Sequence, residues 1–99
     1  MWRRRLRRGQ RGRLPKPIRL GFHPPISTFI PQPQTGSPPI IIEHAELEAM
    51  RLVDFEGLSQ EEAGTRMGVS RGTVWRLLQS ARKKTAQALT EGRPLVIKS

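Results

Sequence analysis

The sequence predicts a small all-α domain of three helices, the last two forming a helix-turn-helix, carried behind an extended, basic, Pro-rich arm. Three observations predict it. Eight of the nine prolines stand before residue 40, where each removes a backbone donor and restricts the residue before it. Apolar residues recur at helical spacing only after residue 43. A Ser-x-x-Glu start signal and well-placed glycine stops then divide that stretch into separate helices. Residues 1–39 are therefore read as the arm, 40–92 as the domain, and 93–99 as a tail.

Within the arm, LPKPIRLGFHPPISTFIPQPQTGSPP (14–39) cannot hold a helix and reads as extended or polyproline-like chain. It is not purely polar. Ile18, Leu20, Phe22, Ile26, Phe29 and Ile30 give it apolar points that could dock, so a free linker and a docked arm both stay open.

The first helix is expected over 43–55. Leu47, Met50 and Val53/Asp54 fall at helical spacing, and Glu43, Glu46 and Glu48 lie early, where the dipole favours them. His44 is read as a surface residue. The second helix, 60–67, starts at the capping box Ser59-Gln-Glu-Glu62, with Leu58 placed to staple onto Ala63. It stops at Met67-Gly68. Gly64 is an unusual helix-interior choice, costing about 1 kcal/mol of propensity against Ala. After Gly68-Val69-Ser70 the third helix runs over 71–90 with Ser70 as its cap. Leu95-Val96-Ile97 form a candidate short strand, with Ile40–Ile42 or the arm as its partner.

Charge is divided as sharply as proline. Residues 1–39 hold nine Lys/Arg and no Asp/Glu, a net +9, while residues 40–99 hold nine Lys/Arg against eight Asp/Glu, a net +1, together giving the +10 of the whole chain. The natural partner of the leading segment is a polyanion. Its Arg-rich start also has the composition of a transit peptide, but Gly and Pro spoil an amphipathic helix there. No window approaches the ~18 apolar residues of a membrane span, so no membrane contact is expected and the expected setting is the cytoplasm, at the nucleoid.

The third helix shows where the anion would sit. At about 100° per residue, with Val74 as zero, Leu77, Leu78, Ala81, Thr85 and Ala88 fall within about 60° and form the buried stripe. Gly72, Arg76, Gln79 and Lys83 cluster about 140–200° away, and Arg71, Trp75 and Arg82 lie on one flank. The first turn has no carboxylate, although short helices usually place one there. Such a helix end is electrostatically open to a phosphate, as a helix entering the major groove by its amino end requires. Arg76 and Gln79 suit guanine and adenine edges. The expected DNA-contacting set is Ser59, Gln60, Ser70, Arg71, Gly72, Thr73, Trp75, Arg76, Gln79, Arg82 and Lys83, with Lys84 beside them at the groove edge. Arg11, Arg13, Lys16 and Arg19 are the expected phosphate contacts of the arm. Trp75 has two readings: packing on the arm, the first helix or a partner subunit, or contact with DNA.

The segment FEGLSQEEAGTRMGVSRGTVWRLLQSARKK (55–84) resembles the region-four helix-turn-helix of bacterial sigma factors. The phrases E-G-L-S-x-E-E-A, G-V-S-x-G-T-V and A-R-K-K carry the resemblance. More narrowly, Leu14 to Ile97 is similar to a small family of uncharacterised prokaryotic proteins predicted to bind DNA. These share an F-x-P element (Phe29-Ile30-Pro31), an E-L-E-A-x-R-L-x-D-x-E-G-L-S-Q-E-E-A core and a phrase like ALTEGRPLVI. The resemblance implies a DNA-binding fold and, through the sigma factors, contact with RNA polymerase; no other sigma region accompanies it, so a complete sigma activity is not implied.

The leading expectation is sequence-specific binding of double-stranded DNA by a transcriptional regulator. The alternatives are a module docking on RNA polymerase or another partner, and RNA binding through the Arg-rich arm. A homodimer is left open, because about 50 helical residues make a thin core. An enzyme is not expected. The chain has no cysteine and two histidines, no phosphate-binding loop and no metal-ligand spacing, so no cofactor or metal is expected either.

Overall fold

The computed structural model describes residues 17–98, and it is an α+β domain rather than the all-α one expected. Its elements are β1 (Thr28–Phe29), β2 (Ile40–Glu43), α1 (His44–Met50), a π-helical turn (Arg51–Phe55), α2 (Gln60–Met67), α3 (Arg71–Glu91) and β3 (Leu95–Lys98). The strands form one mixed sheet in the order β1-β3-β2. β3 lies in the middle, parallel to β2 with Ile40 opposite Leu95 and Ile42 opposite Ile97, and antiparallel to β1 with Thr28 opposite Val96. The departure from all-α has a simple cause. The apolar runs III and LVI are too short to build a helix but suit a β ladder, and the ladder satisfies backbone groups that would otherwise go unpaired at both ends of the domain.

Pairing β2 with a parallel β3 requires a crossover, and the entire helical part of the chain is that crossover. Ile40 and Ile42 turn inward from β2 while Ile41 and Glu43 face out, the period-two pattern of a half-buried strand. Among the helices the core is Ala49, Leu52, Ala63, Met67, Val74 and Leu78, with Met50, Val53, Leu58, Val69 and Leu77 packed around it. Each large side chain there contributes about 1.5–3 kcal/mol of transfer free energy.

The first helix is not one regular α-helix. After Met50 the ladder slips to i→i+5, with the Glu56 N–H donating to Arg51 O at 2.8 Å, and the chain leaves through a left-handed Gly57. Its inward face also differs from the apolar spacing. His44, Glu46 and Glu48 are buried, so His44 is not the surface residue expected. Its Nε2 lies 2.6 Å from Phe22 O, and a carbonyl can only accept, so this nitrogen carries the proton.

The extended segment 17–39 is docked along its length. The Arg19 N–H donates to Met67 O at 2.9 Å, and its guanidinium donates to Thr65 O and Arg66 O at 2.8 and 3.2 Å. A cation on the last carbonyls of α2 is favoured by the helix dipole. Gly21 N–H donates to Glu48 Oε2 at 2.9 Å, and the Phe22 ring lies under Arg51 with 5.2 Å to its centroid.

Candidate nucleic-acid interface

Two local devices set the angle between α2 and α3. Ser59 and Glu62 form the reciprocal capping box, with the Glu62 N–H donating to Ser59 Oγ at 3.0 Å and the Ser59 N–H to Glu62 Oε1 at 2.9 Å. Two donors at the helix start are satisfied at once. The Ser59 hydrogen bonds hold the Glu62 carboxyl below its usual range. Gly64 is the second device. A Cβ on it would lie 2.8 Å from Val69 O, so the chain crosses too closely over α2 for any side chain. The propensity cost evident in the sequence is therefore what permits the three-residue turn, and Ala would obstruct it. Gly68 then caps α2 in the left-handed conformation, φ 72°.

The turn delivers α3 with its amino end outward. Ser70 Oγ accepts the Thr73 N–H at 3.1 Å and bonds Thr73 Oγ1 at 2.9 Å, so these two hydroxyls serve the cap. Thr73 Oγ1 in turn accepts from Arg76 at 3.3 Å, steadying that side chain. Val74, Leu78 and Ala81 are fully buried, which anchors one face of α3 and fixes the opposite one in solvent. On that outer side Arg71, Gly72, Trp75, Arg76, Gln79, Arg82 and Lys83 are exposed. The first turn carries no acidic residue.

Several of the expected residues come together. Gln60, Arg71, Gly72, Trp75 and Arg76 line one open cleft of about 570 Å³, and Ser59, Gln60 and Arg71 border an adjoining recess. Trp75 is 51 % exposed, with its ring along the cleft. Glu61 borders the same recess, although from sequence it is only a first-turn acid. Its closeness to Arg71 follows from the turn and has no signal in the local pattern.

Other residues of the expected set are differently engaged. Arg82 is held by Asp54 through two hydrogen bonds of 3.0 and 2.7 Å, which keep the Asp54 carboxyl below its usual range. Lys84 donates to Glu46 Oε1 at 2.8 Å, beside a short hydrogen bond from Ser80 to the same carboxylate. Arg19 sits on the α2 carbonyls described above. Arg11, Arg13 and Lys16 lie outside the described residues. No group of three or more metal-ligating side chains occurs among the described residues, and no helix there is long and apolar enough to cross a membrane.

Fold and face together define a class: a small α+β domain that displays a tightly turned helix pair above a mixed sheet, with one helix end open and cationic. The chain belongs to the family described as "Protein of unknown function DUF134", whose model matches residues 3–99. It is 60 % identical over 81 residues to a UPF0251 protein of Pyrococcus abyssi, covering 79 % of this chain and 74 % of that one. A UPF0251 protein of Archaeoglobus fulgidus is 48 % identical over 94 residues, 94 % of this chain and 90 % of the relative. One of Syntrophobacter fumaroxidans is 50 % identical over 76 residues, 75 % of this chain and 49 % of the relative. No solved structure matches the chain.

Proposed function

We propose that this protein binds double-stranded DNA sequence-specifically, as a transcriptional regulator, with the amino-terminal half of α3 in the major groove. The observation that carries the reading is the state of that helix end. It is exposed and free of carboxylates in its first turn. Its arginines Arg71 and Arg76 form no ion pair among the described residues, a condition shared with Arg19, Arg66, Lys83 and Lys98, whereas Arg51, Arg82, Lys84 and Arg93 are all paired. Free N–H groups, dipole and unpaired guanidiniums on one terminus suit a phosphate backbone. Arg76 and Gln79 stand one turn apart on the outer face, where bidentate contact with guanine and adenine is chemically available. The resemblance of 55–84 to sigma region four supports the same docking.

In this reading affinity and specificity are divided. Residues 1–16 carry eight Lys/Arg and supply phosphate neutralisation, while α3 reads bases. Selection of bound sequences from random duplexes, followed by titration across salt concentrations, tests it. Deleting residues 1–16 should flatten the log–log salt slope by about 0.9 for each phosphate no longer neutralised and leave the selected sequence unchanged. Arg76→Ala should relax preference at one position by about 1–3 kcal/mol. Failure of the full chain to prefer any duplex sequence over another defeats the reading.

A further inference from the structure

Two glycines of the helix pair stand in opposite circumstances. Gly64 is required from inside, because a Cβ on it would lie 2.8 Å from Val69 O. Gly72, in the first turn of α3, is not. A Cβ there would meet nothing closer than Ser70 Oγ at 3.9 Å, and its backbone is ordinary right-handed helix. The folded chain has room for a side chain at 72, and almost any would favour the helix more than glycine does. The smallness of Gly72 therefore serves no contact among the described residues. What it leaves open is the outer surface, where bare backbone can come close to a docked molecule.

Trp75 stands three residues further on, about 60° around the helix and about 4.5 Å along it. Its neighbours Val74 and Leu78 are fully buried, yet half of Trp75 is exposed, so the ring is carried on an anchored helix and left open. Among the described residues the guanidinium that stacks on an aromatic ring is Arg51, over Phe22, and none covers Trp75. Gly72 and Trp75 border the open cleft together with Gln60, Arg71 and Arg76. That lining holds two guanidiniums and no carboxylate; Glu61 borders the adjoining recess instead. An apolar ring between two unpaired cations suits an apolar group that belongs to a polyanion.

A DNA duplex displays one such group on its base edges, the C5-methyl of thymine in the major groove. We propose that Gly72 and Trp75 form a subsite for a thymine methyl, the methyl lying on the Trp75 ring and the base edge against the bare α3 backbone at Gly72. The inference rests on the DNA reading above and names one base that the site takes. Sugars are the other apolar part of the strand, but they are the same at every nucleotide and would give the ring no base preference.

The test compares two duplexes that differ by one methyl. Selection with the full chain should return a thymine at a fixed position, and replacing it by deoxyuridine removes the methyl alone. Affinity should then fall about fourfold, the worth of one buried methyl-sized group. Trp75→Ala should bind more weakly and no longer distinguish the two duplexes. Gly72→Ala, whose added methyl takes the space of the base's own, should prefer the deoxyuridine duplex. Its melting temperature should equal or exceed that of the parent chain, so a folding defect would not imitate the result. Equal affinity of the parent chain for both duplexes overturns the subsite, as does a Trp75→Ala chain that still discriminates between them. Uniform weakening of every sequence by Trp75→Ala would put the ring on a sugar and overturn it likewise. Each of these outcomes leaves sequence-specific binding standing. Absence of any sequence preference, or preference for single-stranded RNA over duplex DNA, defeats the underlying reading and the subsite with it.

Discussion

Arg51 and Arg71 are the same side chain in opposite circumstances. Arg51 donates to both oxygens of Glu48 at 3.0 and 2.9 Å, pairs with Glu56 at 3.0 Å and lies over the Phe22 ring. Burial works against its charge, but the Glu48 hydrogen bond outweighs that and holds the guanidinium more strongly protonated than usual. Arg71, at the start of α3, is exposed and forms no ion pair among the described residues. The α1 and arm side of the molecule uses its charges to hold the chain together, while the α3 amino end leaves them available. Paired charge on one side and unpaired charge on the other separate a region whose charges the fold uses from one whose charges it leaves to solvent.

Substitutions can break or sharpen that contrast. The largest effect is expected in the core beneath both regions. Leu78→Ala, at a fully buried position, should cost about 2–5 kcal/mol by urea unfolding; a decrease below about 1 kcal/mol would mean that the packing between α1, α2 and α3 is not as described. Gly64→Ala comes next. Its methyl would meet Val69 O, and about 1–3 kcal/mol of destabilisation is expected, where helix propensity alone would predict a gain of about 1 kcal/mol. The sign of that measurement decides between crossing geometry and propensity.

Smaller effects belong to the buried carboxylates. Burial raises the pKa of Glu46, but hydrogen bonds from Lys84 and Ser80 more than offset it, so the carboxyl titrates below its ordinary 4.5. Glu48 behaves likewise, burial being overcome by Arg51 and the Gly21 N–H. A carboxyl whose folded pKa is depressed stabilises the fold fully above its unfolded pKa and loses that contribution as pH falls through the folded one. The stability these two carboxylates contribute should therefore be constant above about pH 5 and fall as pH drops below about 4.5, and Glu46→Gln should reduce that acid dependence. An acid limb as steep in Glu46→Gln as in the parent chain would remove this account.

The smallest expected effect falls on the other side. Arg71→Ala should change stability by no more than about 0.5 kcal/mol, while weakening duplex binding and lowering its salt slope by about 0.9 if it meets one phosphate. Arg51→Ala should do the reverse, lowering the unfolding midpoint and leaving the salt slope alone. Identical behaviour of the two variants would erase the distinction between the regions.

Much of the helical part is readable from local signals. The capping box at Ser59 and Glu62, the glycine at 68, the Ser70 cap and the stripe Val74, Leu78, Ala81 and Ala88 each depend on residues within a few positions of one another. The open amino end of α3 is legible for the same reason, as an absence of carboxylates in one turn. The polar interior of α1 is not. His44, Glu46 and Glu48 look like surface residues until Phe22, Gly21, Ser80, Lys84 and Arg51 close over them. Of these only Arg51 is a near neighbour in the chain; the others bond across more than twenty positions. Arg82 likewise reads as a groove-edge cation until Asp54, 28 positions earlier, is brought alongside.

The helices and the exposed cationic face of α3 follow from the order of residues alone, because capping, periodicity and dipole act within a turn or two of chain. The candidate strand at Leu95–Ile97 was legible too, but its pairing with both Ile40–Glu43 and the arm, the docking of 17–39 and the bonding that engages Arg19, Arg82 and Lys84 within the domain were decided by the folded chain. Thr28 meets Val96 and Ile40 meets Leu95, and contacts at such separations are fixed by how the whole domain closes, which no local window contains.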